Sequence, residues 1–166
     1  MHDYTDMKEI KLRKLRNTNT MLVRFDSYED RVAEGRIQTL YYRHPFEFKS
    51  LDQLLMIIDD VLDSVGFEKD QGDFHTLYEE YEGKPLIFQY LDPKDIYIDE
   101  KVSSKDYVNA FRGELTIRVF CRQNSSMQGE IRAGERSARF RSSLELLRML
   151  YEFVEQRYEE MMRKKQ

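Results

Sequence analysis

The pattern of apolar and polar side chains near the start of the chain predicts three strands followed by a helix. Met21–Phe25, Gly35–Arg43 and Phe46–Phe48 are rich in the β-branched and aromatic residues that favour strands. Ser50 then precedes a segment in which apolar residues recur at the helical period, and Gln53 completes a capping box with it. This part of the chain therefore predicts a βββα unit.

The same order of elements recurs towards the end of the chain. Leu115–Arg122, Gly129–Ala133 and Arg136–Arg141 are the predicted strands, and a tight turn joins the last two. Ser142 is placed to cap a helix that follows them, with Glu145 closing its capping box. The apolar stripe of that helix comprises Leu144, Leu147, Leu150, Tyr151, Val154, Tyr158, Met161 and Met162.

Short matches align the two regions with each other. Gly35–Ile37 corresponds to Gly129–Ile131, and Phe48–Asp52 corresponds to Phe140–Glu145 with one insertion. We therefore predict an α+β fold made of two βββα units, an internal repeat in which each antiparallel sheet packs against one amphipathic helix. The alternative is chance similarity between two capped amphipathic helices.

The predicted organisation has four parts. They are a basic N-terminal arm (1–20), the first βββα unit (21–66), an acidic connector (67–112) and the second βββα unit with a long C-terminal helix (113–166). Within the connector, Pro85–Leu91 and Ile96–Ile98 are candidate strands, and Asp92–Pro93 marks a turn between them.

Composition narrows the class of protein. The 166 residues include 40% hydrophobic and 35% charged side chains, which is typical of a folded chain rather than a disordered one. The single cysteine, Cys121, excludes an internal disulfide and favours a reducing compartment, so we expect a cytoplasmic protein. The chain contains no stretch approaching 18 consecutive apolar residues, so we expect no membrane partner.

Charge is distributed unevenly along the chain. Residues 51–100 carry 3 basic and 14 acidic side chains, whereas residues 101–166 carry 14 basic and 9 acidic ones. Every basic residue between Lys105 and Lys164 is arginine, whose planar guanidinium suits carboxylates and phosphates. This asymmetry indicates either mutual neutralisation within the fold or an exposed anion-binding face.

Strand alternation in the second unit places several arginines and one aromatic ring on the face away from the helix. Asn124 and Gln128, in and beside the loop between the first two strands of this unit, add amide groups. The predicted partner-binding residues are Arg118, Phe120, Arg122, Arg132, Arg139, Arg141, Asn124 and Gln128. The alternative is that the acidic connector packs over these arginines and pairs with them.

Catalytic motifs are sparse, and we predict neither a catalytic residue, nor a metal ligand, nor a cofactor. His2, His44 and His75 do not have the spacing of a metal site, and no glycine-rich phosphate loop is present. The chemistry with the best support is therefore binding.

Two other functions remain open. A metal-dependent nuclease would use Asp92, Asp99 and Lys101. A cyclic-dinucleotide sensor would use Arg118, Arg122, Asn124 and Ser126, because Asn124–Gly129 resembles the Asn-x-Ser-x-x-Gly motif of PilZ domains.

The segment Phe120–Gly129, together with Phe140–Ser142 and Leu144–Leu146, resembles a family of small proteins from Gram-positive anaerobic bacteria with no established activity. The family motif reads close to Phe-Arg-Gln-Asn-x-Ser-Trp-Gln-Gly, with a further tryptophan a few residues on. Met127 and Ala133 stand at the two tryptophan positions here. The resemblance implies a bacterial source and an association with mobile elements.

The sequence therefore predicts a non-enzymatic macromolecule-binding module, namely an inhibitor or accessory factor that acts on a nucleoprotein such as a defence nuclease. The expected partner is a protein or nucleoprotein, with nucleic acid as a further candidate. A homodimer is also expected, because Tyr158, Met161 and Met162 extend the apolar stripe beyond what one unit can cover.

Overall fold

The computed structural model describes residues 20–90 and 111–165, which form six strands and two α-helices. The strands are β1 (Thr20–Glu29), β2 (Val32–Thr39), β3 (Phe46–Phe48), β4 (Leu115–Cys121), β5 (Gln128–Ala133) and β6 (Arg136–Phe140). The helices are α1 (Leu51–Ser64) and α2 (Ser143–Lys164). Most of the predicted basic arm and the candidate strand Ile96–Ile98 lie outside the described residues.

All six strands belong to one antiparallel sheet, in the order β3-β2-β1-β4-β5-β6. The prediction of an α+β fold is confirmed, but the prediction of two separate sheets is wrong. The reason is the pairing of β1 with β4, in which Thr20–Val23 lies antiparallel to Leu115–Arg118. Hydrogen bonding between these strands satisfies backbone groups that two separate sheets would each leave at an edge.

Both helices pack on the same face of this sheet. Met21, Val23, Ile117 and Val119 alternate along the central strands and are fully buried against the helices. The apolar stripes of α1 and α2 complete a single core that spans all six strands. The opposite face of the sheet carries no helix among the described residues and is called the open face below.

The two predicted capping boxes are confirmed. In α1 the Ser50 hydroxyl accepts a hydrogen bond from the Gln53 amide at 3.3 Å, and the Gln53 side chain accepts one from the Lys49 amide at 2.6 Å. In α2 Ser142 and Glu145 repeat the arrangement. In both helices the residue that closes the box lies three positions after the cap, so Gln53 corresponds to Glu145 and the one-residue insertion predicted after the cap is wrong.

Strand ends in the first half differ from the prediction. β1 continues to Glu29 and meets β2 at a tight turn in which Asp30 and Arg31 have φ values of 50° and 63°. Two consecutive residues with positive φ fit the two-residue turn that joins antiparallel strands, although neither is glycine. β2 therefore begins earlier than predicted, at Val32, and ends at Thr39.

The predicted strand at Pro85–Leu91 is also wrong over its described part, where Phe88–Tyr90 forms a 3-10 turn. The Asp60 carboxylate accepts hydrogen bonds from the backbone amides of Ile87 and Phe88, at 2.8 Å and 3.1 Å. These amides are consequently not available for pairing with another strand.

Each half of the sheet contains one glycine at a close approach. A Cβ atom on Gly35 would collide with the Arg24 carbonyl oxygen and lie 2.8 Å from the Phe48 ring. A Cβ atom on Gly129 would collide with the Arg118 carbonyl oxygen and lie 2.8 Å from the Phe140 ring. Glycine is therefore required at both positions for steric reasons.

We expect Gly35→Ala and Gly129→Ala each to lower the free energy of unfolding by about 1–3 kcal/mol, because the added methyl group must displace backbone or a buried ring. Urea denaturation measures this change. Gly134→Asn is the control, since Gly134 has space around it and asparagine tolerates its positive φ. Equal stability of the Gly129→Ala and Gly134→Asn proteins would contradict the steric explanation.

Candidate partner-binding surface

Four of the predicted partner-binding side chains lie together on the open face, over β4, β5 and β6. We call Arg118, Phe120, Arg132 and Arg139 the arginine surface. Arg118 and Phe120 alternate along β4 with the buried Ile117 and Val119. Arg132 and Arg139 reach the same face from β5 and β6, where both are exposed.

The phenylalanine ring lies between two guanidinium groups. The Arg118 guanidinium carbon lies 5.3 Å from the centre of the Phe120 ring, and that of Arg139 lies 5.9 Å from it. Both distances are within the range of cation–π attraction, which holds the arginine side chains beside the ring. Phe120 nevertheless keeps 41% of its surface exposed. The surface therefore combines an accessible apolar ring with positive charge on either side.

One carboxylate lies within the arginine surface. Glu130 is opposite Arg118 on one side and opposite Arg139 on the other, so charges alternate across the three strands. Its carboxylate also pairs with Arg132 at 3.1 Å. Opposite charges on neighbouring strands stabilise the sheet. Three arginines against one glutamate leave the arginine surface with a net positive charge.

Arg122 does not belong to this surface, contrary to the sequence prediction. The β4–β5 pairing shifts register between Val119 and Cys121, and this shift reverses the alternation of side chains after Phe120. Arg122 consequently points to the helix side, where it is 4% exposed. There it joins β4 to α1 instead of facing solvent.

Charged side chains surround the buried Arg122, and Asp63 among them remains partly exposed. Its Nη1 atom lies 3.0 Å from an Asp59 oxygen and 2.7 Å from an Asp63 oxygen, and Nη2 donates to the Phe67 carbonyl. Burial, and secondarily the Asp63 charge, raises the pKa of Asp59, while the bond to Arg122 opposes the shift. Lys69 adds a second positive charge, 3.0 Å from Asp63.

Helix periodicity places Asp52, Asp59, Asp60 and Asp63 on the polar side of α1 and predicts that this side faces solvent. The prediction is wrong at Asp60, which is buried against residues 67–90, and Asp59 is partly buried. Burial raises the pKa of Asp60, and the amides of Ile87 and Phe88 partly offset the shift by donating to its carboxylate. Carboxylate oxygens of Asp59, Asp60 and Asp63 all lie within 4.8 Å of one another. Arg122 and Lys69 offset two of these three negative charges, and the backbone amides of Ile87 and Phe88 donate to the third carboxylate, that of Asp60.

The remaining predicted site residues have structural contacts. Arg141 lies beyond β6 and donates to Glu145 at 2.6 Å and 3.0 Å; this bond raises the pKa of Arg141. Asn124 has a φ of 55° in the β4–β5 turn, and its backbone N–H donates to the Asp70 carboxylate. The Gln128 side chain bridges the same turn to the Arg141 carbonyl. These three residues shape the border of the sheet.

The described part of the acidic connector does not cover the arginine surface. Residues 67–90 pack beside α1, where Lys69 and Phe88 donate hydrogen bonds to its aspartates, and beside the β4–β5 turn, where Asp70 accepts one. Within residues 20–90 and 111–165, no salt bridge joins the connector to Arg118, Arg132 or Arg139. The alternative of neutralisation by the connector therefore has no support in this part of the chain.

The residues of the candidate cyclic-dinucleotide site are not brought together on one face of the sheet. Arg118 lies on the open face and Arg122 on the helix face, so a single cyclic dinucleotide cannot contact both in the way that the PilZ resemblance implies. Asp92, Asp99 and Lys101 lie outside the described residues, as does His2. His44 and His75 are exposed and belong to different loops.

Two further surface features lie apart from the arginine surface. A cavity of about 310 Å³ lies between α1 and the connector, with Leu55, Phe74 and Met127 in its wall. Tyr158, Met161 and Met162 on α2 are 44–51% exposed, and Tyr158 packs edge-on against Tyr28. The predicted apolar stripe of α2 is wrong at Leu144, which is 66% exposed, and it omits Leu146, which is buried. The homodimer stays a prediction.

Comparison with protein-family models, with curated proteins and with solved structures finds no match to this chain. Among the described residues, neither helix has the length and apolar character that crossing a bilayer requires.

We expect Arg122→Ala to lower the free energy of unfolding by about 3–5 kcal/mol, because it leaves the Asp59 and Asp63 carboxylates crowded without their buried counter-charge. Arg141→Ala is the matched control, since it removes an exposed arginine that pairs at the surface with Glu145. Urea denaturation of the two variants provides the comparison. Equal stability of the two proteins would contradict the placement of Arg122 in the core.

Asp60 should give the stability a measurable pH dependence. Its pKa is higher in the folded chain than the ordinary value of 3.8, so protonation favours the folded state. This contribution is present below that ordinary value and is lost as the pH rises through the raised pKa. The quantity to compare is the unfolding free energy of the unmodified protein minus that of Asp60→Asn. This difference should be smaller at pH 7 than at about pH 4. A pH-independent difference in unfolding free energy between the two would contradict this.

Proposed function

We propose that this chain is a non-enzymatic binding module whose arginine surface docks on an acidic surface of a partner protein. The observation that carries the proposal is the exposed Phe120 ring between the Arg118 and Arg139 guanidinium groups. Arginine and aromatic side chains are the residue types that contribute most energy in protein interfaces. A partner carboxylate beside either guanidinium would add a charge-assisted hydrogen bond.

Charge favours a protein over nucleic acid as the partner. Glu130 lies at the middle of the arginine surface, where a continuous phosphate backbone would have to pass close to it. The whole chain carries a net charge of −4, which opposes general attraction to a polyanion. A folded protein can instead place separate carboxylates beside separate arginines and leave the position facing Glu130 uncharged.

The wider role is the one that the resemblance implies: an inhibitor or accessory factor encoded by a mobile element, acting in the cytoplasm on a nucleoprotein such as a defence nuclease. The arginine surface supports the binding step of that role. A module that works by occupying a partner's acidic surface requires no catalytic residue of its own.

We also infer that the two halves of the sheet are an internal repeat. Gly35 and Gly129 make equivalent close contacts, and both first strands shift register at equivalent positions, next to Phe25 and Val119. Three residues after each of these positions, a side chain crosses to the other half's helix: Tyr28 donates to Glu155, and Arg122 donates to Asp63. Each of these carboxylates lies 13 residues after its helix's N-cap.

The proposed function predicts binding of an acidic probe that depends on the arginine surface. The probe is a labelled Glu-rich peptide with interspersed leucine and phenylalanine, measured by fluorescence anisotropy at low ionic strength. Phe120→Ala, and Arg118→Ala combined with Arg139→Ala, should each weaken binding about tenfold or more, which is the effect of truncating interface anchors.

The matched control is Arg148→Ala combined with Arg163→Ala. This variant also loses two positive charges, but from exposed positions on α2. This control should bind within about threefold of the unmodified protein, because exposed charges act weakly at a distance in salt. Equal weakening by both double variants, no binding at low salt, or tighter binding of labelled single-stranded RNA would each overturn the proposed function.

A further inference from the structure

Among residues 20–90 and 111–165, no strand pairs with the outer side of β6. β6 is the last strand of the sheet, and its residues Arg136 to Arg139 are exposed. The other outer strand, β3, has only three residues and both of its phenylalanines are buried. β6 therefore offers the longer and more accessible edge to another chain.

The turn at the start of β6 determines which backbone groups face outward. Gly134 has a φ of 60° in a two-residue turn, and Ala133 pairs with Arg136 across it. The pair that closes such a turn exchanges both backbone hydrogen bonds, and bonded pairs then alternate along the strands. Ser137 and Arg139 consequently direct their N–H and C=O groups away from β5. Among the described residues, none forms a backbone hydrogen bond with these groups.

Charge indicates what kind of segment fits this edge. Across the sheet, Arg118, Glu130 and Arg139 lie opposite one another in a single row of alternating charge. The position beyond Arg139 in that row is the one that an added strand would occupy, and a carboxylate is the favourable neighbour there. β6 itself contains two arginines and no acidic residue. A second copy of β6 would bring like charges together, so a second copy does not fit.

We propose that an extended acidic segment of the partner protein adds to the sheet as a seventh strand beside β6, with a carboxylate opposite Arg139. This proposal rests on the proposed function, because Arg139 belongs to the arginine surface, and it names how the partner docks. Backbone hydrogen bonds to Ser137 and Arg139 supply affinity, and the carboxylate supplies selectivity for acidic sequences.

Ser137→Pro tests the strand addition directly. Proline removes the outward N–H of Ser137 but no hydrogen bond to β5, and an outer strand tolerates it there. Ser137→Ala is the matched control, because it keeps the N–H. A labelled peptide of alternating glutamate and valine should bind Ser137→Pro about tenfold more weakly than the unmodified protein and bind Ser137→Ala unchanged. A peptide with lysine in place of glutamate should bind at least about tenfold more weakly to the unmodified protein.

Backbone methylation of the peptide gives a test that does not depend on the folding of a variant. N-methylation of every second residue removes the donors on one edge of the peptide, and one of the two possible methylation patterns should abolish binding to the unmodified protein. Undiminished binding of both methylated peptides, or of Ser137→Pro, would overturn the strand addition. If Arg118→Ala combined with Arg139→Ala still weakens binding in that case, the arginine surface stands and only the seventh strand is wrong.

Discussion

The antiparallel pairing of β1 with β4 is the constraint on which the rest of the structure depends. It joins two three-stranded halves into one sheet in which β3 and β6 are the outer strands of the described part of the chain. Both described helices pack on the same face of this sheet, and neither lies on the other face. The arginine surface lies on that open face, and the outer edge of β6 borders it. Two separate sheets would have given neither this arrangement nor a single core.

The contacts between the halves are stronger than sheet pairing alone. Arg122 follows β4 but pairs with Asp59 and Asp63 on α1, and Tyr28 on β1 donates to Glu155 on α2. Burial and the Glu155 hydrogen bond raise the pKa of Tyr28 to about 12, so its hydroxyl keeps the proton that it donates to a higher pH than an ordinary tyrosine does. Each helix is therefore tied to a strand of the opposite half. This cross-connection makes the relative position of the helices part of the same cooperative unit as the sheet.

Strand alternation predicted correctly that Arg118, Arg132 and Arg139 share one face, where the pairing is regular, and that Phe120 lies with them, at the position where the register shifts. Their role in binding stays a prediction. It failed at Arg122, because a register shift is a property of two paired strands and leaves no mark in the pattern of either one. The exposure assigned to Asp60 failed for a related reason: helix periodicity identifies the face, but not which distant segment covers it. The apolar run at Pro85–Tyr90 resembled a strand because composition does not reveal that a carboxylate from α1 occupies its amides.

The β1–β4 pairing also determines when the molecule can be completed during synthesis. Met21 pairs with Ile117, so the ribosome must translate the whole of the first half and the connector before the central strand obtains its second neighbour. Until then the backbone groups on one edge of β1 have no strand partner in β4. The apolar side chains that α2 later buries are still partly exposed to solvent. Contacts so distant along the chain form slowly, and an exposed strand of this kind is where nascent chains associate wrongly or bind chaperones.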